Sequence, residues 1–153
     1  MAFGYTEKVL AHFLEPHNVG PVEDADGVGE LGDASCGDFF VMFIKVDEGR
    51  LADIKYLVRG CGAAIATCSA LSDLAKDLTL EEALGLSDDD IAAELGGLPM
   101  EKMHCSNLAA SVLHRAIADY ERRQRDIRLR GGSLRDWRAP YEEAMRRQRE
   151  NRP

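Results

Sequence analysis

Asp53-Ile54-Lys55-Tyr56-Leu57-Val58-Arg59-Gly60-Cys61-Gly62-Ala63-Ala64-Ile65-Ala66 is the stretch whose reading decides the fold. Its first half has a period of two: Ile54, Tyr56 and Val58 alternate with Asp53, Lys55 and Arg59, as in a strand with one buried face. Its second half changes period, and Ile65, Cys68, Leu71, Leu74 and Leu78 recur at helical spacing. At the junction, Gly60 and Gly62 let the backbone turn sharply and keep side chains away from Cys61. A helix start offers free N–H groups and positive potential, which stabilise a thiolate or the sulfides of a cluster. Two more cysteines share the setting. Cys36, in Ser35-Cys36-Gly37-Asp38, comes just before the apolar run Phe39 to Val46. Cys105, in His104-Cys105-Ser106, comes just before a long helical run. Asp38 and His104 give two of the three a second candidate ligand close by.

Working outward, Phe39 to Val46 is almost continuously apolar, as a strand covered on both faces would be. Asp47-Glu48-Gly49-Arg50 reads as a turn and Leu51 to Arg59 as the antiparallel partner. Upstream, Thr6 is a candidate N-cap for a helix to about Leu14, with Val9, Leu10, Phe13 and Leu14 on one side and Pro16 as its stop. Residues 17–35 read as loop with a short edge strand near Val28. Downstream, Thr79 with Glu82 and Ser87 with Asp90 read as the caps of two short helices, the second closed by Gly96-Gly97. The long helix is expected from about Ser106 to Arg130. A last helix is expected within 134–150, where Trp137, Tyr141 and Met145 fall at four-residue intervals. The fold class is α+β: a small antiparallel sheet with helices packed on one side and the ligand loops at one end.

The bulk properties exclude several classes. A chain of 153 residues can bury one real core. Its net charge of -8 argues against nucleic acid as a partner. No apolar run approaches the roughly 20 residues that span a bilayer, so no membrane association is expected. Met1 to Val9 carries neither an apolar signal core nor a basic leader, which points to a cytoplasmic protein. In a reducing compartment, four cysteines are ligands or reactive thiols rather than disulfides. Of 14 arginines, 12 lie from Arg115 onward among seven acids, so the C-terminal stretch is basic and the rest strongly acidic. The expected division is a domain over 1–125 and an Arg-rich helical extension over 126–153.

Three cysteines from different elements make a soft thiolate site, for which zinc and iron–sulfur clusters are both suitable. Cys68 is different: it falls on the Ile65/Leu71 stripe and reads as core packing. His12 and His114 read as ordinary helix residues, and His17 as a loop residue with no evident partner. The arginine tail, with the Trp137/Tyr141/Met145 stripe, reads either as a solvated helix face or as a segment that docks onto this domain's acidic body or onto a partner.

At this point the residues resemble a known family. Tyr5-Thr6-Glu7-Lys8-Val9, His12-Phe13, Pro16, Asn18 and Gly20 are similar to the opening of the IscU/NifU-type iron–sulfur cluster assembly scaffolds. Ser35-Cys36-Gly37-Asp38, Gly60-Cys61-Gly62-Ala63-Ala64-Ile65-Ala66, and Leu98-Pro99 with Glu101-Lys102-Met103-His104-Cys105-Ser106 resemble its three ligand motifs, in order. The resemblance covers residues 5 to 123. His104, and the lack of a long insertion between Cys61 and Cys105, favour this branch over the zinc-bearing SufU branch. Cys68 stands where the family has serine. Met100 stands where it has proline, in a segment read by a DnaK-type chaperone, which argues against that contact here.

The resemblance implies a platform rather than an enzyme. Cys36, Cys61 and Cys105 would hold a transient [2Fe–2S] cluster, with the fourth ligand from Asp38 or His104. A cysteine desulfurase would supply sulfur, with Cys105 as persulfide acceptor, because His104 and a helix start favour its thiolate. A ferredoxin-type donor would supply electrons, and apo iron–sulfur proteins would receive the cluster. Gly37 and Gly62 would leave room for these partners to approach. Zn²⁺ could occupy the same ligands. Two rivals are a zinc-binding sulfur-transfer protein and a thiol hydrolase; for the latter, His104 is expected to point away from Cys105.

Overall fold

The apolar run Phe39–Val46 is buried on both sides, as its composition demands. In the computed structural model, which describes residues 4–33, 37–130 and 138–150, this run forms the middle strand of a three-stranded antiparallel sheet. The strands are β1 (Gly27–Asp33), β2 (Asp38–Asp47) and β3 (Arg50–Arg59), in the order β1-β2-β3. Val28 lies opposite Phe43, and Ile44 opposite Ile54. Glu48 and Gly49 both take positive φ, 52° and 75°, which suits the twist of a two-residue hairpin loop. Phe40, Met42 and Ile44 of β2 join Ile54 and Tyr56 of β3 in the main core. Val41 and Phe43 point to the other face.

The main core is closed by α1 (Glu7–Leu14), α2 (Gly62–Ala75) and α5 (Met103–Arg130). Thr6 caps α1 by accepting the Val9 N–H at 3.1 Å. Only Val9 of its expected apolar side is buried; Phe13 and Leu14 are exposed. α2 also departs from the expected leucine stripe. Ala63, Ala64, Ala66, Cys68, Ala70 and Leu71 are all fully buried, while Ile65 and Leu74 are half-buried. Small residues on nearly every side let this helix sit between the sheet, α1 and α5. The short helices α3 (Leu80–Leu84) and α4 (Asp88–Glu94) begin with complete capping boxes, Thr79/Glu82 and Ser87/Asp90.

β1 is longer than the sequence suggested, and the reason is α5. A Cβ at Gly27 would lie 2.3 Å from the Ala116 carbonyl oxygen, and one at Gly29 would lie 2.4 Å from that of Val112. Glycines that read as loop are there because a helix rests directly on the strand. Asp119 and Arg123 fasten the same contact. Asp119 accepts the Val28 N–H at 2.9 Å and pairs with Arg123, whose guanidinium also donates to the Ala25 carbonyl at 3.0 Å. Arg123 is buried, so this part of the tail is not a solvated face.

α5 begins three residues earlier than expected, behind a 3-10 turn at Met100–Lys102. His104 and Cys105 therefore lie inside its first turn. The last helix, α6 (Arg138–Glu150), packs on the face of the sheet that the one-sided arrangement left bare. Its Ala144 is buried against Ala25, Val41 and Phe43, and Arg59 donates to the Gln148 carbonyl at 2.5 Å. Trp137 and the side chain of Tyr141 lie outside the described residues, and Met145 is half-buried. Among the described residues no helix is long and apolar enough to cross a membrane.

Candidate metal centre

Three chain junctions meet at one end of the sheet. Asp38 opens β2 beside Gly37, which has a φ of 73° and space around it. Cys61 is the N-cap of α2, immediately after β3 ends. His104 and Cys105 occupy the first turn of α5. The ligand atoms of Asp38, Cys61 and Cys105 all lie within 4.8 Å of one another. The two sulfurs are 3.9 Å apart, and Cys105 Sγ is 4.0 Å from Asp38 Oδ2. Gly60 has a role here beyond its turn: a Cβ would stand 2.7 Å from Asp38 Oδ1, in the space the carboxylate fills. Gly62 faces the Phe13 ring, 3.4 Å from where its Cβ would be, so it is not an open approach. Cys36 lies outside the described residues.

His104 turns toward its neighbour rather than away from it. Its Nδ1 donates to the Glu101 carbonyl at 3.0 Å, which leaves Nε2 as the free nitrogen. That Nε2 is 3.5 Å from Cys105 Sγ and 3.9 Å from Asp38 Oδ2. The expectation that a histidine next in sequence cannot face Cys105 is therefore incorrect: a first helical turn is open enough for the ring to fold back. Both candidate fourth ligands reach the site, Asp38 from inside at 6% exposure and His104 from the rim.

Burial governs the electrostatics of this group. Cys105 is fully buried, and that burial, with Cys61 and Asp38 beside it, pushes its thiol up to about 12 against the pull of Lys102. Burial thus outweighs the help expected from the helix start. A metal would displace such a proton on binding. Lys102, not singled out in the sequence, has its Nζ 3.8 Å from Cys61 Sγ; its place two residues before His104 was the available signal. Cys68 is fully buried, is not among the converging ligands, and has its thiol raised chiefly by burial. Two imidazoles and a carboxylate also meet elsewhere: His17, expected to lack a partner, has Nδ1 2.6 Å from Asp73 Oδ2, and His12 Nδ1 is 2.7 Å from Ser69 Oγ.

The chain is similar to known proteins over most of its length. The family model described as NifU-like N terminal domain matches residues 4–126. The iron–sulfur cluster assembly scaffold protein IscU 1 of Archaeoglobus fulgidus is 54% identical over 123 residues, 80% of this chain and 80% of that one. The scaffold protein IscU of Aquifex aeolicus is 48% identical over 126 residues, 81% of this chain and 80% of that one. The crystal structure of a nitrogen-fixing NifU-like protein (N-terminal) from Brucella abortus shares the fold, with a TM-score of 0.61 and 18% identity over 76% of this chain and 94% of that one.

Proposed function

The chain belongs to the NifU-like N-terminal domain family and is an iron–sulfur cluster assembly scaffold, and we propose that its cargo is a [2Fe–2S] cluster held at the end of the sheet. The observation that carries this reading is the convergence of Asp38, Cys61 and Cys105 within 4.8 Å, with His104 Nε2 at the rim. Cys61 and Cys105, together with Cys36, supply thiolates. Asp38 or His104 completes the set, and either holds iron less firmly than sulfur does, so one corner can open for release.

Cys105 is the proposed sulfur acceptor. Its thiol, held protonated by burial, first loses its proton, a step that the Lys102 charge favours, and the thiolate then attacks the outer sulfur of a cysteine desulfurase persulfide. One S–S bond forms as another breaks, and the desulfurase cysteine leaves as thiolate. Two electrons from a ferredoxin-type donor then reduce the new persulfide and release sulfide into the cluster. Apo iron–sulfur proteins are the proposed recipients, in the cytoplasm. Met100 is exposed on the surface of its turn and stands where the resembled family has proline, which weakens the case for a DnaK-type chaperone contact. Residues 126–153 form the proposed extension to a scaffold domain over 1–125; the family match stops at residue 126.

Zn²⁺ suits the same donors in tetrahedral form and is the second reading, favoured by the mixed sulfur, nitrogen and oxygen set. Anaerobic reconstitution followed by iron, zinc and acid-labile sulfide analysis separates the two. The scaffold reading predicts iron and sulfide in equal amounts with visible absorption, lost in Cys61→Ser. Zinc that iron and sulfide cannot replace would establish the second reading.

A further inference from the structure

A second group of metal-type ligands lies well away from the sheet end. His12 in the last turn of α1, His17 in the loop after Pro16, and Asp73 of α2 place one ligand atom each within 4.8 Å of one another. Asp73 is twelve residues along α2 from Cys61, about 18 Å at the helical rise, so the two groups cannot share an ion.

The group is held in place by its surroundings. The segment after Pro16 is tied to β3: the Tyr56 N–H donates to the Asn18 carbonyl at 3.2 Å, and the Gly20 N–H donates to the Tyr56 carbonyl at 2.9 Å. Asn18 takes a left-handed φ of 60°, and its Nδ2 donates to Ser72 Oγ at 2.9 Å and to Asp73 Oδ1 at 3.1 Å. That leaves Asp73 Oδ2 facing His17 Nδ1 at 2.6 Å. The His17 N–H donates to Ser69 Oγ at 2.9 Å, and the same oxygen has a second lone pair for an Nδ1–H of His12 at 2.7 Å. With Nδ1 as the donor in this bond, the Nε2 lone pair of His12 is free for a metal ion. Two of the three candidate ligands thus have an outer hydrogen bond that orients them, the arrangement that supports metal-binding side chains. The histidine rings sit 5.0 Å apart and tilted by 59°, so they do not stack on each other.

We propose that His12, His17 and Asp73 form a second, exchangeable site for a divalent first-row metal ion such as Zn²⁺ or Fe²⁺. Two imidazoles and a carboxylate are borderline donors. They suit zinc and ferrous iron better than calcium or magnesium, which prefer oxygen, or copper(I), which prefers sulfur. Three protein ligands leave room for water, which makes the ion exchangeable. In a tetrahedral shell with bonds near 2.0–2.1 Å, neighbouring ligand atoms stand about 3.3 Å apart. The ion would replace the proton between His17 and Asp73 and move those side chains apart by less than an ångström. His17 and Asp73 are exposed, so an ion can enter without opening the core.

The test is an anaerobic Co²⁺ titration of the metal-free full chain. Co²⁺ on thiolates gives near-ultraviolet charge-transfer bands, whereas Co²⁺ on imidazole and carboxylate gives only ligand-field bands. We expect two classes of bound Co²⁺, one with and one without the thiolate bands, and paramagnetic broadening of the His12 and His17 ring resonances. Asp73→Asn should remove the second class alone, with unchanged far-ultraviolet circular dichroism. Asn18→Gly, which keeps the backbone conformation, should weaken it about 10–100-fold. A single class of Co²⁺ bearing thiolate bands, histidine resonances untouched by the metal, or a second class that survives Asp73→Asn overturns the proposal.

Discussion

Removing α6 by ending the chain at Arg130 should lower stability without dissolving the α+β core. Phe43 and Val41 are buried on the face that α6 covers, and Ala144 of α6 is buried with them. Fully burying a phenylalanine or valine side chain is worth about 1.5–3 kcal/mol each. Stripping one side of the pair forfeits part of that, so the expected loss is about 2–4 kcal/mol. For a domain of this size, that is a fall in Tm of roughly 5–15 °C. Among the described residues the main core of β2, β3, α2 and α5 includes none from α6, so cooperative unfolding should persist. The assay is urea unfolding followed by far-ultraviolet circular dichroism, which does not depend on Trp137. Ala144→Glu in the full chain is the companion variant: it must either bury a charge or undock the helix, and its loss should be of similar size. An unchanged urea midpoint in both variants would refute the packing argument, and complete unfolding on truncation would show that α6 belongs to the main core.

Cys68→Ser places a hydroxyl in an apolar interior and should cost about 1–3 kcal/mol while cluster absorption stays, whereas Cys61→Ser and Cys105→Ser should each abolish it; visible spectra and urea midpoints of the three variants check this. Asp38→Ala should retain the cluster longer and slow its delivery, since a carboxylate is displaced from iron more readily than a thiolate; faster loss of absorbance from the variant would mean that the carboxylate anchors the cluster. Gly29→Ala sets a methyl 2.4 Å from the Val112 carbonyl oxygen and forces β1 and α5 apart, with an expected cost of about 1–3 kcal/mol by thermal unfolding.

The parts of the fold that rest on local chemistry were legible in the residues. Alternation marked β3, the continuous apolar run marked a strand covered twice, and Thr6, Thr79 and Ser87 marked helix starts by oxygens that accept orphan N–H groups. What stayed hidden depends on distant partners. Gly27 and Gly29 read as loop because nothing local says that a helix lies on them. The outer cover of Val41 and Phe43 comes from Ala144, about a hundred residues away, while the aromatic spacing around it drew attention to Trp137 and Tyr141. At the site, Asp38, Cys61 and Cys105 could be singled out because each sits at an element boundary, while Cys36 lies outside the described residues. The facing of His104 toward Cys105 was not legible, since neighbours in sequence meet only when a first helical turn lets the ring fold back. The pairing of His17 with Asp73 joins a loop to a helix 56 residues on, which no spacing rule encodes.

Transfer is the most direct measurement of the central claim. The anaerobically reconstituted full chain is mixed with an apo-ferredoxin, and the absorption of both proteins is followed after rapid separation. The account predicts that the ferredoxin gains a [2Fe–2S] spectrum as the scaffold loses its own, and that Cys105→Ser delivers nothing. A cluster that stays on this chain while the ferredoxin remains colourless would contradict it.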